Sequence, residues 1–162
     1  AFTLKLLNEK FALRLSLLQL QQYAATLGSD CAFFLHTKPM WGSGRGEVLT
    51  EAPVSLKGKY LVLVKPDVHV STAAAYAGIQ PAVPGRRVEQ LLTELGVEDW
   101  KHVLVNDFEK IVFPAFTEIE PIKNALYRHG AIYASMSGSG AAVFGLFDRE
   151  VSLHHFFPSA TC

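Results

Sequence analysis

Residues 131–137 and 141–147 are two apolar, β-prone runs with only Gly138, Ser139 and Gly140 between them. So short a connection suits a hairpin turn, in which glycines supply positive φ, and has no room for a helical crossover. An antiparallel pair near the C-terminal end therefore constrains everything else. Residues 31–35, 46–51 and 60–64 are further apolar or β-branched runs and are read as strands. Ser16 and Gln19 form a capping-box pattern ahead of Leu17, Leu20, Ala24 and Leu27, which predicts a helix over 17–27 with Gly28 ending it in the left-handed region. Ser71 and Thr72 can cap a short helix over 73–77 that Gly78 closes.

Further helices follow. Val88, Leu91, Leu92 and Leu95 share one face before Gly96, and Val97, Trp100 and Leu104 suggest a short segment. Asn106 and Asp107 are candidate caps for the turn carrying Phe108 and Ile111. Phe116, Ile119, Ile122 and Leu126 predict one helix ending at Gly130, bent or restarted at Pro121, and residues 151–157 predict a short apolar helix before Pro158. Strands and helices interleave without regular βα alternation, and the strands are too few for a sandwich, so the predicted class is α+β.

Hydrophobic residues make up 49% of the 162, enough for a packed core and too many for a disordered chain. Lys plus Arg and Asp plus Glu each number 15, which leaves no excess charge for nucleic acid or an anionic bilayer. The two cysteines, Cys31 and Cys162, make no disulfide framework, and no run of about 18 apolar residues or leader pattern occurs. These features predict a soluble, cytoplasmic protein with neither a nucleic-acid nor a membrane partner. Leu4, Leu7 and Phe11 share a helical face that begins at Ala1 with no capping residue before it, as if the chain opened inside a helix. On that reading residues 1–28 belong to, or bridge from, a missing N-terminal domain, and residues 29–162 form the domain that follows.

Gly138, Ser139 and Gly140 offer unobstructed backbone N–H groups of the kind a phosphate-cradling turn uses. Taken alone they are better read as a hairpin turn, since neither a Walker loop nor a dinucleotide fingerprint surrounds them. Gly42, Gly44 and Gly46 read as a loop. Asp30, between a helix end and an apolar run, is either a base or electrostatic anchor in a cleft or a cap on the next turn. Tyr76 could stack on a base, although tyrosines more often pack in cores. The six histidines lack metal-ligand spacing, so no structural zinc is predicted.

The ordered set Leu27-Gly28-Ser29-Asp30-Cys31-Ala32-Phe33-Phe34, Gly44-Arg45-Gly46-Glu47, Lys65-Pro66 to Tyr76, Asn106-Asp107-Phe108-Glu109 and Ser137-Gly138-Ser139-Gly140 resembles the GHMP kinases. The closest likeness is to members that phosphorylate the 2-hydroxyl of a cytidine-diphosphate-bearing substrate in non-mevalonate isoprenoid biosynthesis. The resemblance implies the family's C-terminal domain, a mostly antiparallel, ferredoxin-like sheet with helices packed on one face. It implies that Asp30 is the catalytic aspartate, that Thr72 and Tyr76 line a cytidine pocket, and that Gly138, Ser139 and Gly140 form the loop supporting the nucleotide. It further implies ATP and Mg²⁺, with no metal ligand assigned among these residues. The family's lysine-bearing strand and Gly-Ser-rich triphosphate loop are not found in these 162 residues, so the expectation is a C-terminal portion inactive by itself. Two alternatives are another GHMP kinase acting on homoserine, mevalonate or a sugar, and a noncatalytic α+β module that binds a small ligand.

Overall fold

The computed structural model describes residues 1–162 except Arg45, Glu47, Val83, Pro84, Pro158, Ser159 and Cys162, with Ala160 and Thr161 described through their backbone alone. The expectations placed on Arg45, Glu47, Pro158 and Cys162 lie outside the described residues. The chain forms two compact units, Ala1–Ser55 and Leu56–Cys162.

The first unit contains α1 (Phe2–Lys10), α2 (Leu17–Leu27), and the antiparallel strands β1 (Met40–Ser43) and β2 (Val48–Glu51). The capping box at α2 forms as predicted: Gln19 N–H donates to Ser16 Oγ at 3.3 Å, and Ser16 N–H donates to Gln19 Oε1 at 2.9 Å. Asn8 fastens the link between the helices, donating to Leu15 O at 3.1 Å and accepting from Leu15 N–H at 2.9 Å. Gly28 departs from expectation. Its φ of 166° and ψ of 150° are extended, because the chain runs directly into a turn in which Cys31 N–H donates to Gly28 O.

Residues 31–35 are a turn followed by a 3-10 segment at Phe33–Leu35, not a strand. Burial explains the difference. Ala32 and Leu35, three apart, enter a small core with Leu20 and Ala24, while Phe33 and Phe34 stay exposed. That is the period of a 3-10 turn, and a short unbroken apolar run cannot distinguish it from a strand. Of the glycines read as a loop, Gly42 lies in β1 paired with Leu49, while Gly44 and Gly46 lie between the two strands; β1 carries no β-branched residue to signal it.

The second unit contains β3 (Tyr60–Pro66), α3 (Thr72–Gly78), α4 (Val88–Glu94), α5 (Trp100–Val103), α6 (Glu109–Ala115), α7 (Glu120–Arg128), β4 (Tyr133–Met136), β5 (Val143–Phe147) and β6 (Ala160–Thr161). The strands form one antiparallel sheet in the order β4-β5-β3-β6. The predicted α+β class and the hairpin across Gly138–Gly140 are both observed. Met136 pairs with Val143, and Val143 with Val64, so one row of apolar side chains crosses three strands and packs under Ile122 and Leu126 of α7. Gly145 lies opposite α7, where a Cβ would meet Leu126 Cβ at 3.4 Å, so helix and sheet approach closely there. On the other face Trp100 meets Tyr133 edge-on at 5.8 Å, whereas Leu61 of β3 is 63% exposed.

The helix expected from Phe116 to Gly130 starts only at Glu120, and residues 116–119 are a turn between α6 and α7. Pro114 lies in the last turn of α6 and Pro121 in the first turn of α7, so missing N–H groups stand on both sides of the turn. At the far end of α7, Gly130 has φ 94°, Gly130 N–H donates to Tyr127 O and Ala131 N–H to Leu126 O, a Schellman closure. Gly78 is the last residue of α3 rather than its stop, and the 151–157 helix shrinks to a 3-10 turn at His154–Phe156.

Strand β4 lies at the edge of the sheet, and side chains satisfy its outward polar groups. Tyr127 Oη donates to Ala134 O at 3.1 Å. Glu109 Oε1 accepts from Met136 N–H at 2.9 Å and from Ser135 Oγ at 3.2 Å, while Lys123 Nζ donates to its Oε2 at 2.5 Å. Asn106 Nδ2 donates to both Met136 O and Gly138 O at 2.8 Å.

Replacing Glu109 by Ala strands Lys123 and the Met136 N–H together, so chemical denaturation should show a loss of about 3–5 kcal/mol. Glu109→Gln keeps an acceptor for Met136 and should lose less. Tyr133 supplies a pH prediction. Burial chiefly raises its phenol above the ordinary value of 10.0, so the fold holds the proton more tightly than the unfolded chain does. The associated stability is complete below pH 10.0 and is lost as pH rises through the folded value. Unfolding titrations above pH 10.0 should be steeper for the parent than for Tyr133→Phe.

Candidate active site

Strand β4 delivers the chain into the glycine loop. Ser137 N–H donates to Ala142 O at 2.8 Å and Gly140 N–H to Ser137 O at 3.0 Å, closing a compact turn. Gly138 and Gly140 have φ of 54° and 95°, in the region that L side chains rarely adopt. Their surroundings differ. A Cβ on Gly140 would stand 3.0 Å from Met136 Sδ and 3.5 Å from Val70 Cγ2, whereas one on Gly138 would meet nothing within 4 Å. Gly140 thus presses against the core while the loop is open at Gly138, which leaves room for a ligand's oxygens to approach the backbone there.

Helix α3 reaches the same loop. Ser71 is its cap, accepting from Ala74 N–H at 3.4 Å, so Thr72 is the first helical residue and its hydroxyl is not needed for the cap. That hydroxyl lies 3.1 Å from Ser139 Oγ. One turn further along α3, Tyr76 is 64% exposed, and its ring is held edge-on by Phe108 with centroids 4.8 Å apart. The backbone of Phe108 is fixed by its N–H bond to Asn106 Oδ1 at 3.0 Å. Asn106 therefore ties the glycine loop and the ring beside Tyr76 to one side chain. Thr72, Tyr76, Gly138, Ser139 and Gly140 are brought into one neighbourhood around it.

Asp30 belongs to the other unit. It is exposed, and its Oδ1 accepts from Ser29 Oγ at 3.4 Å. Asn106 and Phe108 were noted as a cap and as part of the motif set that carries the resemblance, but neither was assigned a place in the site; their contacts with the glycine loop and with Tyr76 join residues far apart in the chain. Among the described residues no three His, Cys, Asp or Glu side chains converge as a metal site would require, and no helix is long and apolar enough to cross a membrane.

The chain is similar to several known proteins. Residues 85–154 match the family model "GHMP kinases C terminal". The whole chain aligns at 51% identity with 59% of a protein named 4-diphosphocytidyl-2-C-methyl-D-erythritol kinase from Bacteroides fragilis (strain YCH46). A protein of the same name from Porphyromonas gingivalis is 40% identical over 94% of this chain and 56% of its own length. A crystal structure of 4-(cytidine 5'-diphospho)-2C-methyl-D-erythritol kinase superposes with a TM-score of 0.69 at 29% identity, over 86% of this chain and 51% of that one. The chain spans a little over half the length of the curated relatives it matches. These likenesses are to GHMP kinases, through the family model over residues 85–154 and through relatives that align along the whole chain.

Proposed function

We propose that this chain is the C-terminal portion of an ATP-dependent kinase that phosphorylates the 2-hydroxyl of 4-diphosphocytidyl-2-C-methyl-D-erythritol in isoprenoid biosynthesis. The observation that carries the reading is the 3.1 Å contact between Thr72 and Ser139, which joins the glycine loop to the helix that presents the Tyr76 ring. A loop open at Gly138 suits the phosphate end of a nucleotide, and an exposed aromatic ring braced on one edge suits a pyrimidine face. The names of the relatives support the same substrate.

In the proposed reaction the substrate hydroxyl oxygen attacks the γ-phosphorus of ATP. The new O–P bond forms as the bond to the bridging β,γ-oxygen breaks, and ADP leaves. The hydroxyl proton passes to the Asp30 carboxylate. Gly138, Ser139 and Gly140 support the nucleotide, while Thr72 and Tyr76 hold the cytidine-bearing substrate. Positioning and charge stabilisation provide most of the acceleration in phosphoryl transfer. Mg²⁺ bound with ATP would neutralise charge on the phosphate oxygens.

The test uses the full-length protein that carries this chain. Asp30→Asn should lower kcat by about 100-fold or more, the range for losing a general base. Tyr76→Ala should raise KM for the cytidine substrate about ten-fold, consistent with loss of a stacking partner, while Tyr76→Phe keeps it. Full kcat in Asp30→Asn, or unchanged KM in Tyr76→Ala, would overturn the respective assignment. The 162 residues alone should transfer no phosphate from ATP.

A further inference from the structure

Asp30 is exposed and its side chain is short, so something must fix where its carboxylate points. Its backbone is held by the turn, in which Phe33 N–H donates to Asp30 O at 3.2 Å. The carboxylate has two contacts of note. One is the Ser29 hydroxyl at 3.4 Å from Oδ1. The other is the backbone of Gly46, in the turn between β1 and β2, where a Cβ would stand only 2.8 Å from the same oxygen. Gly46 has little room to retreat. Its N–H donates to Ser43 O at 3.1 Å, a Cβ on Gly42 would lie 3.6 Å from its Cα, and its φ is 110°.

We propose that Gly46 is a positioning residue: the bare backbone of the β1–β2 turn walls the Asp30 carboxylate into its working orientation. The proposal rests on the reading of Asp30 as the proton acceptor. Glycine is required twice over, by its positive φ and by its contact with Oδ1, and these two demands predict different things. Strain from φ burdens the fold. Crowding falls on the atom that moves most easily, the end of the Asp30 side chain, so the fold survives while the acceptor leaves its place. A displacement of about 1 Å can cost on the order of 100-fold in rate.

The experiment compares variants of the full-length protein by steady-state kinetics and thermal unfolding. Gly46→Ala should lower kcat about ten-fold or more with KM for both substrates nearly unchanged, as expected when an interaction made at the reacting atoms is lost. Gly58→Ala is the control for strain, because Gly58 has φ 83° and open space around it; it should lower the unfolding temperature and leave kcat alone. Gly46→Asn is a second probe: Asn is larger than Ala, so positioning predicts at least as great a loss of kcat. In an Asp30→Asn background, Gly46→Ala should reduce kcat no further. The proposal is overturned if Gly46→Ala keeps parental kcat, if Gly46→Asn restores it, or if the Gly46→Ala loss persists undiminished beside Asp30→Asn. If Asp30→Asn itself keeps full kcat, the assignment of Asp30 fails and the role of Gly46 falls with it.

Discussion

A carboxylate taken out of water costs several kcal/mol unless charge and hydrogen bonds compensate it, and Glu109 is compensated on both oxygens. Lys123 supplies the opposite charge from α7, and Met136 N–H and Ser135 Oγ supply hydrogen bonds from β4. One side chain on α6 thus fastens the edge strand to two helices. Without it, β4 would carry an unpaired N–H at the point where the chain enters the glycine loop. The loop's place is consequently fixed by a group that need not meet any substrate.

From that anchor the site is assembled by short steps. Asn106, just ahead of α6, takes the carbonyls of Met136 and Gly138 and fixes the backbone of Phe108. Phe108 steadies Tyr76, and Thr72 on the same helix meets Ser139. Each contact is modest in energy, of order 1 kcal/mol for a neutral hydrogen bond. Their value lies in connection. The hydroxyls and the ring are carried by short elements that would have no defined orientation unless they were tied to the sheet. In the Ala1–Ser55 unit the same economy of means recurs, with Asp30 set in a tight turn and faced by backbone rather than by another functional side chain.

Much of this was legible along the chain. The capping box at Ser16, the apolar runs either side of Gly138–Gly140 and the β-branched segment at 60–64 are local signals, and each became the predicted element. The residues carrying the GHMP resemblance were equally legible because they are a matter of order and identity. Where reading failed, the deciding force was not local. The run at 31–35 is apolar in every position, and only its burial against Leu20 and Ala24 selected a turn of period three. Strand β1 is Met-Trp-Gly-Ser, too short and too interrupted by glycine to signal a strand locally, and is defined by its pairing with β2.

The sequence by itself determined the α+β class, the hairpin, the capping box of α2 and the likeness to the GHMP kinases, because those depend on period, dihedral preference and motif order. Tertiary structure alone decided that Glu109 is a buried anchor rather than one more acidic residue at a helix start, that Asn106 serves the loop as well as a turn, and that Gly46 meets a carboxylate sixteen positions upstream. Each of these is a contact between residues far apart along the chain. The chemical type of a residue constrains what it can bond to, but which partner arrives is set by how the elements pack.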